Sequence, residues 1–206
     1  MSTTLDIQTL YRALHDKLGL VWLSGEQYKE QAVHTTDNDN AEDSLVGYLN
    51  LIAMHRIQVL GSKELDYLDS LRKNSRKDTI SQLFSGQTTL VVIAKGMAPP
   101  ADLEAAASTS KTPLLSSELS SQDVIANLQH YLTNYFADKI TLHGVFMEVL
   151  GTGVLITGDS SIGKSELALE LLTRGHRLIA DDATEFSRVA PDTLLGSCPE
   201  MLRDFL

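Results

Sequence analysis

The sequence predicts an α/β fold, and three observations carry that expectation. First, Thr89-Leu90-Val91-Val92-Ile93-Ala94 is a nearly continuous apolar and β-branched run, the pattern of a parallel strand buried on both faces. Second, short strand-like runs alternate with stretches of helical spacing along the chain, as in layered α/β proteins. Third, the apolar run Val154-Leu155-Ile156 feeds Gly158-Asp159-Ser160-Ser161-Ile162-Gly163-Lys164-Ser165, and helical periodicity follows it. A strand, a glycine-bearing loop and a helix in that order form a recurrent phosphate-binding unit.

Each element has its own signal. Ile7, Leu10, Tyr11, Leu14 and Leu18 recur at helical spacing before Gly19, which predicts an amphipathic helix with a glycine stop. Val21-Trp22-Leu23 reads as a short strand, and the polar stretch from His34 to Asp43 as a loop. Arg56-Ile57-Gln58-Val59-Leu60 reads as a strand ended by Gly61. Leu65, Leu68 and Leu71 then mark a helix, and Ile80 to Phe84 a second, short one. After the run at 89–94, Asp102 to Ala107 reads as a helix, Pro113-Leu114-Leu115 as a strand, and Ser120 as the start of a longer helix. Val124, Ile125, Leu128, Leu132 and Phe136 share a face of that helix.

The pattern changes near Ala137-Asp138, which divides the chain into an N-terminal domain, 1–136, and a second domain, 137–206. In the second, Ile140 to Leu150 reads as a strand, Gly151-Thr152-Gly153 as a turn and Val154 to Thr157 as a strand. The helix after the loop has Leu167, Ala168, Leu171 and Leu172 on one face, with Gly175 past its end. Leu178-Ile179-Ala180 is one more strand. About 70 residues are few for a complete domain of this kind, which needs five or so strands; a truncated chain, or one lacking a partner segment, is expected.

Composition narrows the classes. With 43% hydrophobic residues the chain can build a sizeable core. No run of about 18 or more apolar residues predicts a membrane span, and the first residues lack the pattern of a secretory signal. A net charge of −10 argues against a nucleic-acid footprint, which needs a basic face. The lone cysteine, Cys198, reads as a structural thiol and suits a reducing, cytoplasmic compartment. The cluster Arg72, Lys73, Arg76 and Lys77 reads as a solvated helix end complementing the helix dipole.

The chemistry is concentrated between 143 and 182. Gly158, Gly163, Lys164 and Ser165 occupy the fixed places of G-x-x-x-x-G-K-[ST]. Glycines allow positive φ and close approach to phosphate. Successive N–H groups at a helix start form an anion nest, Lys164 supplies a point charge, and the Ser165 hydroxyl can ligate Mg²⁺. Leu178-Ile179-Ala180-Asp181-Asp182 is an apolar strand ending in acid, the Walker B pattern, in which a carboxylate lies beside Mg²⁺ and phosphate. Adjacent residues of a strand face opposite sides, so one of the two aspartates is expected to face the phosphate. His143, within Leu142-His143-Gly144-Val145, is a candidate whose residues alone leave a structural and a catalytic role open.

Together these strings resemble the bacterial HPr kinase/phosphorylase family. The resemblance rests on Arg56-Ile57-Gln58-Val59-Leu60-Gly61, His143-Gly144-Val145, the run Gly151 to Glu166, and Arg174-Gly175-His176-Arg177-Leu178-Ile179-Ala180-Asp181-Asp182. It implies a Mur-ligase-like α/β domain followed by the first part of a P-loop kinase domain similar to that of phosphoenolpyruvate carboxykinase. It also implies ATP- and Mg²⁺-dependent phosphorylation of a serine on the phosphocarrier protein HPr. The reverse reaction is phosphorolysis, consuming phosphate and releasing pyrophosphate. Family members are typically homohexamers. The family's catalytic histidine falls on His143, its P-loop lysine on Lys164, its Mg²⁺-ligating serine on Ser165 and its general acid/base aspartate on Asp182. Ser161 stands where the family commonly has glycine. A second Mg²⁺-ligating carboxylate, an HPr-binding loop and a catalytic arginine are expected beyond Leu206. A P-loop kinase of a small metabolite and a non-catalytic remnant are the alternative readings.

Overall fold

A computed structural model describes residues 4–33, 50–52, 57–85 and 88–199. The expected loop at 34–43 lies outside the described residues. The chain is mixed α/β and divides into two compact units, Met1–His130 and Tyr131–Leu206.

The first unit begins with β1 (Leu5–Asp6) and α1 (Ile7–Leu18). Asp6 caps α1 by accepting the Thr9 N–H at 2.6 Å, and Gly19, at φ +58, ends it in the left-handed conformation. Ile7, Leu10, Leu14 and Leu18 are buried along one face, the stripe that their spacing predicts. Then follow β2 (Val21–Ser24), β3 (Ala32–Val33), β4 (Asn50–Ile52), β5 (Ile57–Leu60), α2 (Ser62–Ser70), α3 (Lys73–Ser85) and β6 (Leu90–Ile93). The unit continues with α4 (Ala101–Ser110) and β7 (Leu114–Ser116), and α5 (Ser121–Phe136) runs onward into the second unit.

A five-stranded sheet of order β2-β7-β6-β5-β4 organises this unit. Its three central strands are parallel, in register Val59 with Val92 and Val92 with Leu115, and the edge strands β2 and β4 are antiparallel. All four residues of β5 and all four of β6 are buried; β6 is a continuous apolar run, whereas β5 buries a glutamine, Gln58, between Ile57 and Val59. Leu60, Val91 and Ile93 pack with Leu68, Leu83 and Leu103 in one cluster. Each such side chain contributes roughly 1.5–3 kcal/mol by leaving water.

The basic cluster is not a C-terminal helix end. Lys73, Arg76 and Lys77 lie at the start of α3, where the helix dipole disfavours cations. Arg76 overcomes this through carboxylates: its Nε and Nη2 donate to Asp102 at 2.5 and 2.9 Å, and Nη1 donates to Asp69 at 2.5 Å. One guanidinium thus ties α2, α3 and α4 together, while Arg72, Lys73 and Lys77 are exposed.

The second unit contains β8 (Asp138–His143), β9 (Val145–Val149), β10 (Thr152–Ile156), α6 (Lys164–Thr173), β11 (Arg177–Ala180), β12 (Ala183–Ala190) and β13 (Thr193–Ser197). They form two three-stranded sheets, β10-β9-β11 and β13-β12-β8. The run from Ile140 to Leu150 is therefore two strands in different sheets rather than one, broken at Gly144. The turn expected at 151–153 is shorter, with Thr152 and Gly153 already paired in β10.

The Asp102 carboxyl sits below its ordinary range, chiefly because the Arg76 side chain donates to it and is attracted to its charge. A carboxylate lowered on folding stabilises above its unfolded pKa, and that contribution fades as pH falls through the lower folded value. Asp102→Asn should therefore cost about 0.5 kcal/mol near neutrality, a figure discounted for solvent screening. The cost should shrink in acid below the usual carboxylate range. Urea unfolding at both pH values checks this; an equal cost at both would contradict the ion-pair account.

Candidate active site

The site is built where three backbone segments meet at one end of the sheet β10-β9-β11. Both neighbours run antiparallel to β9, so β10 and β11 run in the same direction. Their last residues pair at the start of β9: Ile156 with Val145, and Ala180 with Phe146. Gly144, just before β9, lies between the two exits. Its N–H donates to the Asp182 carbonyl at 3.1 Å. A Cβ on Gly144 would lie 2.5 Å from the Ile156 carbonyl oxygen, and its φ of +149 is one that L side chains rarely adopt. Only glycine lets the backbone pass here.

From Ile156 the chain enters the loop Gly158, Asp159, Ser160, Ser161, Ile162, Gly163, Lys164 and Ser165. Three loop residues have positive φ: Gly158 (+150), Ser161 (+66) and Gly163 (+102). Ser161 and Gly163 flank Ile162, an alternation of φ sign of the kind that can form an anion-binding nest of N–H groups. Among the described residues, no backbone carbonyl accepts from the N–H groups of Asp159 through Gly163. Gly163 is the N-cap of α6, whose first turn adds further N–H groups without intrahelical acceptors. Lys164 Nζ donates to the carbonyls of Gly158 and Asp159 at 2.9 and 2.8 Å, so the ammonium lies across the loop rather than on Asp182. The Ser165 side chain is exposed at the start of α6.

The serine at 161 is the departure noted in the sequence, and it takes the left-handed conformation that glycine accepts without strain. Gly175, also at positive φ (+89), follows the end of α6 as expected. The expected apolar face of α6 holds only in part. Ala168 is buried and Leu171 packs against the β9 cluster, but Leu167 and Leu172 are 49% and 39% exposed. A three-stranded sheet covers a narrower stripe than four leucine and alanine positions offer.

The acid pair differs from a strand end. β11 finishes at Ala180, and Asp182 has φ +66. The Ala183 N–H donates to the Asp181 carbonyl at 2.8 Å, closing a three-residue turn around Asp182, an uncommon γ-type conformation. Strand alternation therefore does not set the direction of either aspartate. Asp181 Oδ1 accepts the Asp182 N–H at 3.0 Å. His143, the last residue of β8, pairs with Ala183, and its Nδ1 lies 3.0 Å from the Asp182 carbonyl oxygen. The structure thus brings His143 and Asp182 together across 39 positions of sequence. Residues held this far from ordinary φ cost about 1–3 kcal/mol each and persist where neighbours over-determine them.

The residues fit a nucleotide with Mg²⁺. The loop offers N–H donors and a lysine, and Ser165 offers a hydroxyl oxygen. Among the described residues, no cluster of three or more His, Cys, Asp or Glu could hold a metal alone. Mg²⁺ is commonly held by one or two protein oxygens plus substrate phosphates.

Sequence reasoning singled out neither Gly144 nor Asp181 as a structural part of the site. The signal for Gly144 was present: an isolated glycine inside a strand pattern marks a close backbone approach.

Comparison with known proteins bears on both units. The family description "HPr Serine kinase N terminus" matches residues 5–132, and "HPr Serine kinase C-terminal domain" matches residues 134–206. The chain belongs to the HPr serine kinase family. Curated relatives named HPr kinase/phosphorylase, from Xylella fastidiosa (strain M12) and Xanthomonas campestris pv. campestris (strain B100), are each 45% identical over all 206 residues. The chain spans 65% of their length. A solved structure, the Hpr(Ser) kinase/phosphatase from Coxiella burnetii, is 46% identical over 30% of this chain and 36% of its own, with a TM-score of 0.28.

Two substitutions test the backbone geometry. Relieving a left-handed side chain returns about 1–2 kcal/mol, while added glycine freedom in the unfolded chain costs about 0.5–1 kcal/mol. Ser161→Gly should therefore stabilise by about 0.5 kcal/mol. Gly144→Ala should destabilise by about 2 kcal/mol or more, from strain and the clash with Ile156. Denaturant midpoints of the two variants check both signs.

Proposed function

We propose that this chain carries the nucleotide site of a serine kinase/phosphorylase acting on HPr. The observation that carries the reading is the convergence at Gly144, which joins the entry of the Gly158–Ser165 loop to the Asp182 turn and His143. A phosphate cradle and a carboxylate brought to one sheet end are what transfer of a phosphoryl group to a hydroxyl requires. Membership of the family supports HPr as the protein that presents that hydroxyl.

In this reading the loop amides and Lys164 hold the β- and γ-phosphates of ATP. Ser165 Oγ would help to hold Mg²⁺, which would supply charge neutralisation. Asp182 accepts the proton of the HPr serine hydroxyl as its oxygen bonds to the γ-phosphorus and ADP leaves. In reverse, an oxygen of inorganic phosphate bonds to the phosphoserine phosphorus. The serine oxygen departs with the proton from Asp182, and pyrophosphate is released. Proton transfer of this kind contributes roughly 10²–10⁴-fold, and positioning with charge stabilisation supplies most of the rest.

The finer fold assignments belong to the same proposal. The parallel β5-β6-β7 core supports a Mur-ligase-like domain at 1–136. The strand–loop–helix unit supports an incomplete P-loop kinase domain, similar to that of phosphoenolpyruvate carboxykinase, at 137–206. Assembly into homohexamers and a cytoplasmic location complete it; the lone, buried Cys198 suits a reducing compartment.

The full-length protein, incubated with HPr, ATP and Mg²⁺, should form phosphoserine. With phosphoserine-HPr and phosphate it should release pyrophosphate. Lys164→Ala should lower both rates by about 10²–10³-fold or more. Phosphorylation of a metabolite without HPr would favour the small-molecule kinase, and no turnover on either substrate would favour the non-catalytic remnant. Loss of only one direction in Lys164→Ala would contradict a shared site.

A further inference from the structure

We infer that His143 is a positioning residue that acts through the backbone of Asp182, and that its Nδ1, as a fixed donor to the Asp182 carbonyl, takes no part in moving the substrate proton. The Nδ1 atom faces a carbonyl oxygen at 3.0 Å. A carbonyl oxygen only accepts hydrogen bonds, so the proton must sit on Nδ1. In neutral imidazole one nitrogen donates and the other accepts. The contact therefore fixes the Nδ1–H tautomer and leaves the lone pair on Nε2, at the other edge of the ring.

The same carbonyl receives the Gly144 N–H at 3.1 Å. Two consecutive residues, one by side chain and one by backbone, thus grip one oxygen. On the other side of the residue, Asp181 Oδ1 accepts the Asp182 N–H at 3.0 Å, and the Asp181 carbonyl accepts from Ala183 at 2.8 Å. Asp182 is therefore held at both of its peptide groups while its φ is +66. Strain of this sort persists only where the surroundings over-determine it, and these four bonds are that determination. The β8–β12 pairing, His143 with Ala183, sets the distance across which the histidine reaches. His143 orients the carboxylate by orienting the main chain that bears it.

The side chains of asparagine and glutamine separate this role from proton transfer. An asparagine amide nitrogen can replace imidazole Nδ1, whereas a glutamine amide nitrogen replaces Nε2, and neither is a base. The inference rests on the kinase reading for its kinetic arm alone; its spectroscopic arm needs only the folded chain. Long-range ¹H–¹⁵N spectra of the 206-residue chain, recorded where the ring is neutral, should show His143 protonated on Nδ1. Asp182 should give the strong intraresidue amide–Hα cross-peak of a left-handed residue. That cross-peak should survive in His143→Asn and weaken in His143→Gln and His143→Ala. In the full-length protein, His143→Ala and His143→Gln should lower kcat for HPr phosphorylation by about 100-fold, the scale of a misplaced reacting group. The KM for ATP should be little changed, and His143→Asn should recover at least about tenfold of the loss.

A neutral His143 protonated on Nε2 would overturn the inference, as would an Asp182 cross-peak indifferent to all three substitutions. An asparagine variant as inactive as the alanine variant would also overturn it and make the imidazole itself the proton carrier. A wild-type protein that fails to phosphorylate HPr while His143 keeps the Nδ1–H tautomer would instead remove the kinase reading and leave the clamp standing.

Discussion

The candidate site depends on the missing side chain of Gly144. A single backbone passage, too narrow for a Cβ, lets the chain leave one sheet and enter another within one residue. Because β9 begins there, the ends of β10 and β11 fall beside it, and the Gly158–Ser165 loop and the acidic turn follow from those ends. Neither loop nor turn contains the information that places it next to the other; the shared boundary with β9 does. His143 belongs to the same device, since it is the last residue before the passage.

Behind the site, the second unit packs around an aromatic pair under similar steric limits. Phe146 meets Phe186 edge to face, with ring centroids 5.1 Å apart, a geometry favoured by the ring quadrupoles. A Cβ at Gly153 or at Gly196 would fall 2.7 or 2.5 Å from the Phe146 ring. Glycines on β10 and β13 therefore make room for one phenylalanine of β9. Ala180 and Cys198 close the cluster, so the cysteine is a packing element beside these rings. This small core fixes β9, β10 and β11 relative to β12 and β13, and so holds the acidic turn between β11 and β12.

Local features of the fold were legible in the sequence, and features set by contacts distant in sequence were not. The helix of Ile7 to Leu18, the buried run at Leu90 to Ile93 and the strand–loop–helix unit around Gly158 each carry their own pattern, so period and punctuation sufficed. The break at Gly144 was hidden because residues on both sides suit a strand; only the Ile156 carbonyl, 12 positions away, forbids continuation. The turn at Asp182 was hidden for a related reason. Leu178 to Asp182 looks like a strand ending in acid, and the bonds that bend it come partly from His143 and Gly144. The strand β12 includes Thr184-Glu185-Phe186-Ser187-Arg188, where charges interrupt the apolar pattern, and β13 (Thr193–Ser197) is a five-residue edge strand defined by its pairing with β12. The placement of Arg76 depended on where α2 ends and α3 begins, and on two carboxylates that pattern reading does not pair.

The posture of Lys164 carries a consequence for the energetics of anion capture. Its ammonium is already solvated by two carbonyls of its own loop. On the proposed reading, an arriving phosphate would compete for a cation that already has partners, and the lysine would exchange one hydration-like shell for another. The net gain from that charge is the difference between phosphate oxygens and peptide oxygens, smaller than the bare attraction of a lysine for an anion. The backbone of the loop, with three residues at positive φ, is already curved, so on the same reading the side chain and not the main chain would rearrange.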